Sequence, residues 1–170
     1  MPKRKQKKFE RPRKLYDKTR IDEEGLLVKK YGLKNKREIW RADFAIGKIR
    51  NVAKGLITAS EEEKEKFIGL QKKKGFEVEN MTEVLGLNKE DVLRRRLQSV
   101  LVKKGLCRTY REARQRIAHR HVTIDGNIIN VPSHLTTLEE ENNIALVIKP
   151  LKDKLTKKEP DQIEEINKEA

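Results

Sequence analysis

One stretch constrains this chain more than any other: residues 93–133, which open LRRRLQSVLVKKGLCRTYREARQRIAHRHVTIDGN and run to Ser133. Between Arg94 and His121 it holds ten Lys or Arg against a single acid, Glu112. A stretch this cationic is usually unfolded, but here apolar residues recur at helical spacing and a turn signal follows. Asn88 and Asp91 mark a helix start, and Leu93, Leu97, Val100 and Leu101 form its buried stripe. Arg95 lies opposite that stripe, Arg96 and Lys103 share a flank, and Gly105 stops the helix. Thr109 caps a second helix, Glu112 completes the capping box, and Tyr110, Ala113 and Ile117 make the buried edge. Val122 and Ile124 then alternate with polar residues. Asp125-Gly126 is a hairpin turn, Ile128, Ile129 and Val131 form the return strand, and Pro132-Ser133 closes it. Residues Ile144 to Ile148 read as a further buried strand, reached through an acidic loop, Glu139 to Glu141, that turns this edge away from a polyanion.

A folded element with one apolar and one cationic face suits a phosphate backbone. The preferred contact face is on the second helix, where Arg111, Arg114, Gln115 and His119 lie together with the small Ala118 among them. Forked guanidiniums grip phosphate oxygens in pairs, and a small residue lets the backbone approach. Arg94, Arg95, Arg96, Lys103, Lys104, Arg108, Thr109, Arg116, Arg120 and His121 complete the candidate set in this region. His119 and His121 have no Cys or carboxylate at ligand spacing, so no metal is expected.

The remainder of the chain adds to this module. Its 170 residues carry a net charge of +14, and 40% are charged against 35% apolar, so parts of it should lie outside any core. One cysteine, Cys107, excludes an internal disulfide and a multi-cysteine zinc site, and fits a reducing compartment. No apolar run is long enough to span a membrane, and no apolar segment follows the basic start as in a secretory signal. Residues 1–34 read as a basic arm, with Lys7, Lys8, Arg11 and Arg13 as contacts and Phe9 and Tyr16 available to stack on bases. Within it Leu26 to Leu33 form a short helical run ended at Gly32. Residues 35–90 read as a helical domain. Asn35 and Glu38 box the start of a helix whose buried face is Ile39, Ala42, Ile46, Ile49, Ala53 and Leu56. Arg37, Arg41 and Lys48 lie on its flank as further contacts, and Trp40 with Phe44 forms a second apolar strip that reads as packing. Ser60 and Glu63 box another helix, with Phe67 and Leu70 as its apolar face and Gly75 as its stop. Residues 76–87 read as a connector with one helical turn from Thr82, and residues 151–170 as a charged, flexible tail. The fold class is therefore α+β: a mostly helical N-terminal part with an extended basic arm, then a helix-helix-β-hairpin domain with a small sheet over residues 91–150.

Arg95-Arg96-Leu97-Gln98, Gly105, Thr109, Glu112-Ala113-Arg114-Gln115, Ile117, His119, Val122, Ile124, Gly126, Val131 and Pro132-Ser133 resemble the RNA-binding domain named after ribosomal protein four of the small subunit, also called the alpha-L type. Residues Tyr31 to Arg41, Lys48-Ile49-Arg50 and Arg11-Pro12-Arg13 are similar to the N-terminal part of the archaeal and eukaryotic branch of that protein. The resemblance spans roughly residues 7–150. It departs from the family at Asp125, where Asn is frequent, and it lacks the four-cysteine zinc knuckle of some bacterial members. It implies a structural protein of the small ribosomal subunit in the cytoplasm, with no cofactor, metal or small-molecule substrate. Its partners would be small-subunit rRNA and neighbouring ribosomal proteins, protein five among them. It further implies early binding at a helix junction of the rRNA body, a place near the mRNA entry path and support for translational accuracy. An RNA-modifying enzyme is disfavoured, because residues 1–88 hold no His, no Cys and no glycine-rich phosphate loop. A helix-turn-helix DNA binder is disfavoured by the hairpin directly after the second helix.

Overall fold

A computed structural model describes residues 8–147. The expected contact Lys7, the strand end Ile148 and the tail from residue 151 lie outside the described residues. The element order is α1 (Lys18–Lys30), α2 (Arg37–Gly55), α3 (Glu61–Lys73), α4 (Met81–Gly86), α5 (Lys89–Arg94), α6 (Leu97–Lys103), α7 (Tyr110–Ala118), β1 (Val122–Ile124), β2 (Asn127–Ile128), α8 (Leu138–Asn142) and β3 (Ile144–Leu146). This is the helical α+β architecture expected, with one three-stranded antiparallel sheet in the order β2-β1-β3.

Apolar spacing divides the interior into two cores. The first gathers Leu27 of α1 and Tyr31 just after it, Ile39, Ala42, Ile46 and Ala53 along α2, Val84 of α4, and Val92 and Leu93 of α5. The α2 stripe follows the 3.6-residue period read from the sequence. Leu27, Tyr31 and Leu33 thus pack with the helical part rather than standing apart in an arm. The second core gathers Leu97, Val100 and Leu101 of α6, Ala113 and Ile117 of α7, Val122 and Ile124 of β1, and Ile144 of β3. The division falls between Leu93 and Leu97.

The expected single helix over residues 88–104 is two helices broken at Arg95 and Arg96. Arg96 adopts an extended ψ of 143°. The break serves a distant segment: Leu97 N donates to His134 O at 2.8 Å, and Thr136 N donates to Arg95 O at 3.0 Å. Residues Arg96 and Leu135 form an isolated antiparallel bridge. This pairing also explains why the return strand is short. Asn127 and Ile128 pair with β1, Ile129 N adds one bond to Val122 O at 3.1 Å, and Ile128 and Val131 are about half exposed, because the chain then leaves the sheet to reach Arg96.

Other local starts differ from expectation in detail. The α2 N-cap is Lys36 rather than Asn35 and has no side-chain cap bond, because a lysine side chain carries no acceptor, while Glu38 accepts from Lys34 N at 3.3 Å. Ser60 precedes α3 without a side-chain cap bond. The face of α3 is turned from that expected: Gln71 is buried and Leu70 exposed, with Phe67 half-buried against the first core. The short helix in the connector is capped at Asn80 with Glu83 in a capping box, and Asn88 with Asp91 boxes α5. The acidic stretch Glu139 to Glu141 is part of α8, capped by Thr137 with Glu140, not a loop.

Two glycines hold the cores together. Gly32 (φ 58°) ends α1, and a Cβ there would sit 2.8 Å from Tyr110 Cβ. Gly75 (φ 80°) ends α3, and a Cβ there would sit 2.3 Å from Cζ of Arg95. Gly75→Ala should therefore both strain the left-handed backbone and displace the Arg95 guanidinium, costing about 2–3 kcal/mol in urea denaturation. Gly105→Ala, at a similar φ of 72° but in open space, should lose only the backbone part, about 1 kcal/mol. Equal losses at the two sites would show that the contact with Arg95 contributes nothing.

Candidate nucleic-acid interface

The cationic stretch separates into two populations once its partners are traced. Arg96 is buried and its Nη2 donates to Glu38 Oε2 at 2.5 Å. Arg114 donates to the same carboxylate at 2.9 and 3.2 Å, and its Nη1 lies 3.4 Å from Gln98 Oε1. One glutamate on α2 thus grips two arginines from α6 and α7. Arg95 is also buried, donating to Glu141 Oε2 at 2.6 Å and to Thr136 O at 3.0 Å. Its expected position opposite the buried stripe is overturned: the helix ends at Arg94, so Arg95 turns inward toward α8. Lys103 lies 3.9 Å from the Glu141 carboxylate, and Lys104 Nζ donates to the Glu141 carbonyl. Arg116 is bound to Glu112 at 2.6 Å and to Leu106 O at 3.2 Å. Thr109 acts as a helix cap, accepting from Glu112 N at 3.2 Å, while Glu112 accepts from Arg108 N at 2.9 Å.

What stays outside is a strip along α7 and its ends. Arg108, Arg111, Gln115, Ala118, His119 and Arg120 are all exposed, and His121 is half-buried beside His119, with ring centroids 6.3 Å apart. Arg120 has φ 64° at the position that glycine fills after α1, α3 and α6. A long cation thus sits where glycine would be less strained. Arg94 and Lys103 are exposed on another side, each with only a 3.9 Å ionic contact.

The N-terminal candidates form a second exposed group. Arg37, Arg41 and Lys48 are exposed on α2, and Lys8, Arg11 and Arg13 are exposed in the segment before α1. Phe9 is not free for a base: it stacks on Trp40 at 6.3 Å with the Arg37 guanidinium 5.9 Å from its ring. Trp40 in turn donates to Glu24 at 3.0 Å, consistent with its reading as packing. Tyr16 is 92% exposed. No group of three or more metal-ligating side chains occurs among the described residues. The roles of Glu38 and Glu141 left no local signal in the sequence, because their partners lie 58, 76 and 46 residues away.

Electrostatics follow the pairing. Burial pushes the Glu38 carboxyl up, but hydrogen bonds from Arg114 and Arg96 and their charges outweigh it and hold the group below its ordinary value. Burial lowers Arg96, opposed by Glu38.

Comparison with known proteins agrees with this geometry. The S4 domain family model matches residues 95–141, which cover the second core from the Arg95 break through α8. A small ribosomal subunit protein uS4 from Nanoarchaeum equitans is 42% identical over 152 residues, spanning 85% of this chain and 84% of that protein. The uS4 protein of Methanothermobacter thermautotrophicus is 40% identical over 149 residues, 84% of this chain and 87% of that protein. That of Methanosphaera stadtmanae is 42% identical over 149 residues, 84% of this chain and 82% of that protein. The chain belongs to the uS4 family. That family is structural, not enzymatic, and the three relatives named are archaeal. In this uS4-family chain the S4 domain is not isolated, because the Glu38 carboxylate ties it to α2.

The tie has a pH signature. Because the folded value of Glu38 is depressed, its stabilisation is complete above the unfolded value, about 4.3, and is lost as pH falls through the folded value. Glu38→Gln should be less stable at pH 7 in urea denaturation and should lose less on going from pH 5 to pH 3. Parallel pH profiles for the two proteins would contradict the pairing.

Proposed function

We propose that this chain is a structural constituent of the small ribosomal subunit that binds the subunit's rRNA. Membership of the uS4 family supports the assignment. The observation that carries the mechanism is the exposed strip of Arg108, Arg111, Gln115, His119 and Arg120 on a firmly packed helix. A row of donors on a packed helix, beside the small Ala118, lets a phosphodiester backbone lie close while several phosphates are contacted at once. Arg37, Arg41, Lys48, Lys8, Arg11 and Arg13 supply a second set of contacts, so that the protein touches folded RNA on more than one side. Arg95, Arg96 and Arg114 contribute indirectly, by fixing the two cores relative to each other.

The finer reading follows the family resemblance. The protein binds early in assembly at a helix junction of the rRNA body, beside neighbouring proteins that include protein five, and supports translational accuracy near the mRNA entry path. Its place is the small ribosomal subunit in the cytoplasm. No helix among the described residues is long and apolar enough to cross a membrane.

The full chain should co-sediment with small subunits and bind a small-subunit rRNA transcript. Its log affinity should fall by about 0.7–0.9 for each phosphate contact per tenfold rise in salt, giving a steep slope for a strip of this size. A flat salt response in filter binding would contradict the backbone mechanism.

A further inference from the structure

A cleft of about 440 Å³ opens on a different set of elements from the exposed strip of α7, where the ends of α3 and α5 meet α6 and the start of α7. Its walls combine two chemistries. Tyr31, Phe76 and Tyr110 supply aromatic surface, and Tyr110 is the half-buried ring of the three, lying 5.8 Å from Tyr31 at 59°. Arg94, Arg95 and Lys103 supply positive charge, and Ser99 a hydroxyl. Two acids also line it. The Asp91 carboxylate is engaged in capping α5, accepting from Asn88 N at 2.7 Å, and Glu77 is exposed.

Three features mark the cleft as built for an anion bearing an aromatic group. The ionic contacts of Arg94 and Lys103, to Asp91 and Glu141, are long at 3.9 Å, Arg94 also lies beside the Tyr31 hydroxyl, and the two side chains are 65% and 72% exposed. They are therefore available to a stronger partner. Arg95 is nine-tenths buried in the wall, and its Nε finds no hydrogen-bond partner among the described residues. The exposed run Lys72 to Lys74 leads into Gly75 at the edge of the cleft and adds charge of the same sign. A bare phosphate would need the cations but not an aromatic wall, whereas a nucleotide needs both. A volume of this order is at the small end of those that hold compact ligands.

We propose that the cleft receives one unstacked nucleotide of the rRNA, its base against Tyr110 and its phosphate between Arg94 and Lys103. The proposal rests on the rRNA-binding reading above and adds a second, sequence-distant contact to it. Unstacked bases in loops and bulges are the parts of folded RNA that aromatic and cationic side chains recognise together.

The test uses the full chain and a transcript of small-subunit rRNA. Affinity is measured for wild type, Arg94→Glu, Lys103→Glu and Tyr110→Leu, with Lys66→Glu on α3 as the measure of a general charge effect. Ultraviolet crosslinking of the wild-type complex with mass spectrometry reads nucleotide adducts directly. The cleft variants should each lose about tenfold or more in affinity. Lys66→Glu should lose much less, and Tyr110 should carry an adduct. If Tyr110→Leu fails to fold, the wild-type adduct and the two charge variants decide. Wild-type binding with all three cleft variants within twofold of Lys66→Glu would overturn the cleft while leaving the rRNA reading intact. Loss with Lys103→Glu but none with Tyr110→Leu, and no adduct on Tyr110, would reduce the site to a phosphate contact and overturn the nucleotide assignment. No wild-type binding at all would overturn both.

Discussion

Two carboxylates make this fold feasible. A chain with so many arginines beside an apolar stripe must either keep them all in water or give the buried ones a partner. Burying an unpaired guanidinium is far costlier than burying a paired one, and removing one partner of a buried pair typically costs about 3–5 kcal/mol. Here Glu38 takes Arg96 and Arg114, and Glu141 takes Arg95. Both acids come from elements outside α6 and α7. The ion pairs are therefore also the ties between parts: Glu38 joins α2 to the S4 domain, and Glu141 joins α8 to the break between α5 and α6. Backbone closeness at Gly32 and Gly75 completes the same joints.

That arrangement sorts the cations by task. Residues that look alike in the sequence, such as Arg111 and Arg114, end in different worlds three positions apart on one helix. Arg114 faces Glu38 and is half-buried, while Arg111 faces solvent. The net charge available to RNA is thereby smaller than the sequence suggests, but it sits on a surface that cannot rearrange freely. The packed helix fixes where each donor starts, though the exposed side chains themselves are ordered only on binding, and that fixed spacing favours recognition of a particular RNA shape over general attraction to polyanions.

The sequence made the local grammar legible. The Thr109 cap, the Gly105 stop, the Asp125-Gly126 turn and the apolar stripe of α2 are set by neighbours within a few residues, and each occurs where its pattern places it. The candidate face was legible as geometry: Arg111, Gln115 and His119 are exposed along α7 and its end, as read from helical spacing. What the sequence concealed was non-local. The break at Arg95-Arg96 is dictated by residues 134–136, and the inward turn of Arg95 by Glu141. Arg114 leaves the exposed face because of a residue 76 positions earlier. Periodicity also misjudged α3, where Gln71, four residues after Phe67, faces inward rather than Leu70, since a few clustered apolar positions do not fix the rotation of a mostly polar helix.

The most direct test of this division compares Arg111→Met with Arg114→Met on two readouts, urea stability and affinity for a small-subunit rRNA transcript. Arg111→Met should keep its stability within about 0.5 kcal/mol and lose about tenfold in affinity. Arg114→Met should lose about 1–3 kcal/mol of stability, because it leaves part of the Glu38 carboxylate unpaired, while its affinity at temperatures well below unfolding stays within about threefold. The same pattern for both variants, with stability unchanged and affinity reduced, would contradict the account.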